Sequence, residues 1–260
     1  MSSGTYLENI LSFHRDRAER DSRSFGQLLS QAQKVEGSKD FISALESPSG
    51  LSVIAEIKRR SPSKGDLNRN LDPSAMAALY ETAGASCISV LTDREFFAGS
   101  SHDLSSARLS TEIPILRKDF TVDKRDICDA RLMGANCVLL IVSALTDEEL
   151  VSFIALAKEL GLAALVETHD EKEVGRALNA DAKLIGVNQR DLYTFEVDQE
   201  RAVRVIREIP NSITTVAESG IRNLEDATVL ADAGYDAVLI GEAFVKSSNP
   251  SSLISSFSGL

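Results

Sequence analysis

Short apolar runs recur along the chain, separated by segments with helical periodicity. Eight of these runs have the length and the share of β-branched residues that are typical of buried strands. They are Leu51–Lys58, Ser86–Leu91, Ile113–Lys118, Cys137–Val142, Ala163–Glu167, Leu184–Asn188, Ile213–Glu218 and Ala237–Gly241. Successive runs end about 21 to 33 residues apart, which is the spacing of one strand–helix unit with its two loops.

Helix start and stop signals fall between the runs. Four segments open with a capping residue and close at a glycine: Asp72–Gly84, Asp123–Gly134, Thr146–Gly161 and Asn223–Gly234. Thr146 and Glu149 also have the spacing of a capping box. Eight strand–helix units without a linker-like break predict an α/β fold, a single closed (β/α)8 or TIM barrel, rather than two doubly wound sheets.

The first fifty residues carry helical stripes of their own. One stripe is Leu7, Ile10, Leu11 and His14, and the next is Phe25, Leu28 and Leu29. We predict an N-terminal helical extension at residues 1–50 and a barrel at residues 51–260. Together they would form one domain over residues 1–260, a length that can bury a large core.

Composition and charge limit the kinds of molecule that the chain is expected to bind. A net charge of −11 and a pI near 4.9 argue against non-specific binding to nucleic acid or to an anionic membrane surface. The three cysteines are an odd number, and two lie in apolar runs, so we expect reduced thiols and a cytoplasmic location. The start, residues 1–4, lacks the features of a secretion signal. We expect a monomer that binds a small phosphorylated molecule.

The ends of the predicted strands carry the candidate chemistry, because the active site of such a barrel forms there. The residues at or just beyond those ends are Glu56, Lys58, Lys118, Glu167, Asn188, Ser219 and Gly241. Each of these residues, taken alone, could have a purely structural role. Glu56 and Lys58, for example, lie on one face of a strand and could form a buried ion pair that takes no part in catalysis. Together they indicate catalysis, because two carboxylates and two lysines can supply both an acid and a base.

The loops after the last two strands predict a phosphate site. Glycines at Gly220 and Gly241 let backbone N–H groups approach an anion. Ser61, Lys58 and Lys64 could complete this cradle from the loop after the first strand, and Leu239 is a further predicted substrate contact. Because the carboxylate of Glu242 would repel a phosphate, we expect its side chain to turn away and only its backbone N–H to bind.

Two more features suit an anionic substrate. The loop from Arg59 to Leu71 carries four basic residues and is either a solvated linker or a mobile basic flap. Arg190 has a planar guanidinium that can hold a carboxylate through two hydrogen bonds. The three histidines, His14, His102 and His169, show no metal-ligand spacing, and no dinucleotide or Walker-type loop is present, so no metal or cofactor is expected.

These residues lie in longer motifs that resemble those of indole-3-glycerol phosphate synthases. The motifs are Glu56-Ile-Lys58-Arg-Arg-Ser61-Pro62-Ser63, Leu91-Thr92 with Phe97-x-Gly99-Ser100, Leu116-Arg117-Lys118-Asp119-Phe120, Val166-Glu167, Ile185-Gly-Val-Asn188-Gln-Arg190-Asp191-Leu192 and Ala217-Glu218-Ser219-Gly220-Ile221. The likeness covers essentially the whole chain. Nothing like the sometimes fused phosphoribosylanthranilate isomerase domain follows Leu260, so the monofunctional form is expected.

The resemblance implies that 1-(2-carboxyphenylamino)-1-deoxyribulose 5-phosphate is closed to indole-3-glycerol phosphate, with loss of carbon dioxide and water. Lys118 would be the general acid and Glu167 the base, with Glu56 and Lys58 at the reacting centre. The implied substrate contacts are Asn188 to the chain hydroxyls, Arg190 to the aromatic carboxylate, Phe97 and Phe120 to the ring, and Ser219, Gly220 and Gly241 to the phosphate. Burial is expected to keep the pKa of Lys118 from rising far.

Two other functions remain open at this point. A sugar-phosphate isomerase on the same barrel also needs an acid and a base, but two rim lysines and the basic loop fit it less well. A barrel that only binds a phosphorylated metabolite would be expected to have lost an acid or a base, whereas Lys118, Glu56 and Glu167 are all present.

Overall fold

The structure is a computed structural model that describes residues 5–46, 50–62, 64–191, 193–257 and 260. Eight parallel strands close into a barrel in which each strand pairs with the next along the chain and the last pairs with the first. They are β1 Ser52–Ile57, β2 Cys87–Leu91, β3 Ile115–Lys118, β4 Cys137–Ile141, β5 Ala163–Thr168, β6 Leu184–Asn188, β7 Thr214–Glu218 and β8 Ala237–Ile240. The predicted (β/α)8 barrel is confirmed.

Helices follow the strands as the capping signals predicted. They are α4 Pro73–Thr82, α5 Ser101–Arg108, α6 Lys124–Leu132, α7 Asp147–Glu159, α8 Glu171–Asn179, α9 Gln199–Val205 and α10 Leu224–Ala233, then α11 Glu242–Lys246 and α12 Pro250–Phe257 after β8. The Thr146–Glu149 capping box forms at the start of α7. Short 3₁₀ turns occupy Val142–Ala144 and Ile206–Glu208, and Arg60–Ser61 pairs antiparallel with Gly65–Asp66.

The described part of the N-terminal extension contains three helices, α1 Tyr6–Arg20, α2 Phe25–Ala32 and α3 Phe41–Leu45. Phe41 and Leu45 of α3 are buried against the first interior residues of the barrel strands, such as Cys87. At the other end of the barrel, α1 lies beside the strand ends. The extension therefore covers apolar barrel surface that would otherwise meet water.

Alternation along the strands separates two cores. In β1, Val53, Ala55 and Ile57 face the surrounding helices, whereas Ile54 joins the apolar interior of the barrel. Glu56, two residues further on, has the same inward direction but lies near the strand end and is 4% exposed. The barrel interior is thus apolar along most of each strand and charged at the C-terminal strand ends.

The three cysteines, Cys87, Cys128 and Cys137, are buried free thiols. Burial raises the pKa of each thiol, which keeps it protonated and unreactive. Within the described ranges, no helix is long and apolar enough to cross a membrane.

Candidate active site

A cavity of about 630 Å³ opens at the C-terminal ends of the barrel strands. All the catalytic and substrate-binding residues predicted from the sequence line it. The extension adds Tyr6, Leu7 and Ile10 of α1 to the lining, which the sequence did not predict. The rim and α1 therefore enclose one site.

The ammonium of Lys118 lies at the centre of this site. Its Nζ donates to Glu218 Oε2 at 2.6 Å and to Glu167 Oε2 at 3.0 Å. Lys118 and Glu218 are the last residues of β3 and β7, Glu167 is the second-to-last residue of β5, and both carboxylates are nearly inaccessible, at 1% and 2% exposure. The parallel barrel brings these distant positions together because all strands end at one rim.

Burial and charge act in opposite directions on this cluster. Burial disfavours the ammonium form of Lys118, but the charges of Glu167, Glu218 and Glu56 outweigh it and raise the pKa of Lys118. The expectation that burial would hold that pKa down is therefore wrong. Burial, with the charge of Glu167, raises the pKa of Glu218 to about 7, against the pull of Lys118. Burial would also raise the pKa of Glu167, but Lys118 and His169 lower it to about 2.

Further contacts fix the Glu167 carboxylate. The Asn188 side-chain amide donates to Glu167 Oε1 at 3.0 Å, and its own carbonyl oxygen accepts from the backbone N–H of Arg190 at 3.0 Å. His169 Nε2 lies 3.6 Å from the same Oε1. The sequence does not predict a site role for His169, because its spacing is not that of a metal ligand.

The Glu56 carboxylate forms an ion pair with Lys58, which lies just past the end of β1. The two charges therefore project to the same side, as the alternation of the strand predicted. Two glycines make room for rim carboxylates: a Cβ at Gly241 would overlap Glu56 Oε2, and a Cβ at Gly186 would overlap Glu218 Oε1.

Phe97 and Phe120 form an aromatic wall, with ring centroids 6.2 Å apart. Asp93 fixes the loop that carries Phe97, because its Oδ1 accepts from the backbone N–H of Phe97 at 3.0 Å. Its other oxygen lies 2.9 Å from His14 Nε2, and the His14 ring packs 5.3 Å from that of Phe120. His14, which was given no site role, thus connects α1 to both parts of the wall.

His14, Asp93 and Asp119 bring possible ligand atoms within 4.8 Å of one another, a proximity that the spacing did not indicate. Asp119, however, accepts a hydrogen bond from the Arg117 guanidinium at 2.8 Å, and His14 is hydrogen-bonded to Asp93. These contacts account for the burial of the three groups, and we assign no metal to them. Arg117 points away from the cavity and donates to the carbonyl of Asp126 at 2.6 Å.

Two residues after β7 have a left-handed backbone. Ser219 and Gly220 both adopt positive φ, +66° and +75°, and a Cβ at Gly220 would lie 2.5 Å from a methyl group of Val197. The Glu242 carboxylate accepts from Lys246 Nζ at 2.6 Å along α11. Burial would raise the pKa of Glu242, but the hydrogen bond to Lys246 and the charges of Lys246, Lys64 and Lys58 lower it.

The basic loop after β1 is partly anchored. Arg59 donates to the carboxylate of Asp103 at 3.0 and 3.1 Å and to the carbonyl oxygens of Arg69 and Leu71 at 2.8 and 2.7 Å. This guanidinium therefore closes the base of the loop, while Ser61, Pro62 and Lys64 line the cavity. The motif residues Ser63 and Leu192, and residues 1–4, lie outside the described part of the chain.

Glu218 is the principal site residue that the sequence does not single out. It ends β7 directly before Ser219, much as Glu167 nearly ends β5. Applying the strand-end rule to every acidic residue would have found it.

Comparison with known proteins agrees with the resemblance. Residues 7–257 match the family model described as indole-3-glycerol phosphate synthase. Relatives of that name from Streptomyces griseus and a Parafrankia species are 49% identical over 236 residues and 46% identical over 246 residues. These alignments cover 90% and 94% of this chain, and 87% and 91% of the relatives. A solved structure of thiamine phosphate pyrophosphorylase from Pyrococcus furiosus matches with a TM-score of 0.60 at 16% identity, over 80% of this chain and 94% of that chain, and shows a shared fold alone.

Proposed function

The chain belongs to the indole-3-glycerol phosphate synthase family, and from this premise we propose how its own side chains carry out the reaction. The enzyme is a carboxy-lyase of tryptophan biosynthesis. It closes 1-(2-carboxyphenylamino)-1-deoxyribulose 5-phosphate to the indole and releases carbon dioxide and water. The observation that carries our assignment of residues is the convergence of Lys118, Glu167 and Glu218 in the cavity.

Lys118 is the general acid of this proposal. Its two carboxylate partners keep the ammonium protonated in the resting enzyme. When the aromatic carbon that bears the carboxylate attacks the ketone, negative charge develops on the ketone oxygen. That oxygen then competes with Glu167 and Glu218 for the ammonium proton, an interaction that strengthens in the transition state.

Glu167 is the base that removes the later proton and completes the indole. Its lowered pKa keeps it ionised at neutral pH, and Asn188 orients one of its oxygens. Glu218 is the second carboxylate that holds Lys118 in place. Glu56 and Lys58 act at the reacting centre, where Lys58 binds substrate anion and assists dehydration.

Substrate anchoring supplies much of the acceleration, because ring closure is intramolecular and the free substrate is flexible. Ser219, Gly220, Gly241 and the backbone of Glu242 bind the phosphate at one end. Arg190 binds the aromatic carboxylate, while Phe97, Phe120 and Leu239 surround the ring and Ser61 contacts the phosphate end. The two anchors bring the reacting carbons together.

We also propose that residues 1–260 form one domain, which acts as a cytoplasmic monomer without a nucleic-acid partner. The acidic charge and the three buried thiols support this proposal. Size-exclusion chromatography with light scattering gives the oligomeric state; a stable dimer would contradict the monomer.

A fluorescence time course tests the activity. The chain contains no tryptophan, so an indole product appears against a background of tyrosine alone. We expect purified protein, with substrate and no added metal or cofactor, to generate the indole signal. Folded protein that binds the substrate but gives no signal would favour the barrel that only binds a metabolite.

A further inference from the structure

His169 connects the active site to the helix that follows β5. Glu173, in the first turn of α8, accepts from the backbone N–H of His169 at 2.8 Å and lies 3.0 Å from the ring Nδ1. The other ring nitrogen, Nε2, faces Glu167 Oε1 at 3.6 Å. Within the described residues, this buried Nε2 has no hydrogen-bond partner.

The two carboxylates select one protonation state of the ring. Neutral imidazole has a single N–H, so it can donate to Glu173 or to Glu167 but not to both. Only the imidazolium offers a donor to each. The other charged groups near the ring are Arg201, which opposes the cation, and Asp191, which favours it.

We propose that His169 is a positioning residue for Glu167, an imidazolium that Glu173 holds against the carboxylate of the base. The inference rests on the proposed role of Glu167. It gives His169 a specific function during turnover: when Lys118 transfers its proton to substrate, Glu167 loses the cation that holds it. His169 then supplies a second cation, which keeps Glu167 ionised and in place for the later proton removal.

The electrostatics agree with this role. Burial alone would lower the pKa of His169, but the hydrogen bond to Glu173 and the charges of Glu167 and Glu173 raise it above its ordinary value. Of the two contacts, the one to Glu173 is the shorter, and it also uses the backbone. Glu173 therefore orients the ring, and the ring acts on Glu167.

The first test is a titration of the histidine ring by NMR spectroscopy. The chain has only three histidines, and the signal missing from His169→Gln identifies the ring. We expect its pKa to lie above 6.5 in the wild type and to fall by about one unit or more in both Glu173→Gln and Glu167→Gln. Glutamine retains an oxygen acceptor, so these variants remove charge more than contact. Equal midpoints in all three proteins would overturn the proposal.

The second test is kinetic. We expect His169→Gln to lose about tenfold in kcat with KM nearly unchanged, the scale of losing a partner that orients a site residue. His102→Gln, on the exposed side of α5 beside Ser106, is the matched control and should retain wild-type kcat. Wild-type kcat in His169→Gln would also overturn the proposal. If Glu167→Gln itself proves fully active, the proposed base fails, and the NMR titration still reports the contact between the two side chains.

Discussion

The barrel rim has two lysine–glutamate centres, which differ in how far apart their residues lie in the sequence. Glu56 and Lys58 come from one strand and its loop, two residues apart, and form a single ion pair. Lys118 meets Glu167 and Glu218, which lie 49 and 100 residues further along the chain. At the second centre several carboxylates act on one buried ammonium, and their charges raise the pKa of the lysine.

The two lysines differ in their surroundings and therefore in the roles that they can take. Lys118 is held by carboxylates at the ends of two other strands, and its side chain lines the cavity. Lys58 lies beyond β1 at the start of the basic loop and forms an ion pair with Glu56. We infer that the Lys118 centre delivers the proton, whereas the Glu56–Lys58 centre serves binding and the later dehydration.

Lys118→Met gives the largest expected effect. Loss of the acid should reduce turnover by about 10³-fold or more while substrate still binds, because the cavity and both anchors persist. Lys58→Met is the matched change at the other centre and should lose less turnover and raise KM more. Single-turnover indole fluorescence and a substrate-binding titration measure both. Near-normal turnover in Lys118→Met would refute the acid assignment.

Glu167→Gln and Glu56→Gln test the carboxylate of each centre. Each should lose turnover by roughly 10²-fold or more, because an amide cannot accept the proton or hold a neighbouring ammonium with full charge. Steady-state kinetics of the two variants measure this directly. A nearly neutral result at either position would restrict that carboxylate to positioning.

Glu218→Gln should have an intermediate effect, about tenfold on kcat. Removing one of the carboxylates that raise the pKa of Lys118 weakens the hold on its ammonium. The wild type should also show an inflection near pH 7, where Glu218 itself ionises, and the variant should lack it. Profiles of kcat against pH for the two proteins decide this; identical profiles would remove Glu218 from the acid centre.

Glu242→Gln should have the smallest effect. Because Lys246 already binds this carboxylate along α11, the substitution should leave KM within about twofold of the wild type. The measurement is KM from initial rates. A large improvement in substrate affinity would mean that the side chain faces the phosphate and that the phosphate loops have been assigned wrongly.

Most of the fold could be predicted from the sequence because the patterns that specify strands and helix ends are local. Strand runs, caps such as the Thr146–Glu149 box and closing glycines act over a few residues, and all eight predicted strands form. The strand-end rule also selected Lys118 and Glu167, since a closed parallel barrel directs every strand end to the same rim. The predicted boundaries differ by one residue at two strand ends: Lys58 and Gly241 lie just beyond their strands, in the loops that follow.

By itself, then, the sequence determined the barrel, its rim residues and the family motifs. Tertiary structure alone decided how the rim charges are paired: Glu218 against Lys118, His169 against Glu167, and His14 against the loop that carries Phe97. It also decided that the pKa of Lys118 is raised, because that depends on the sum of burial and all nearby charges. Such sums depend on distances between residues far apart in the chain, which no local pattern records.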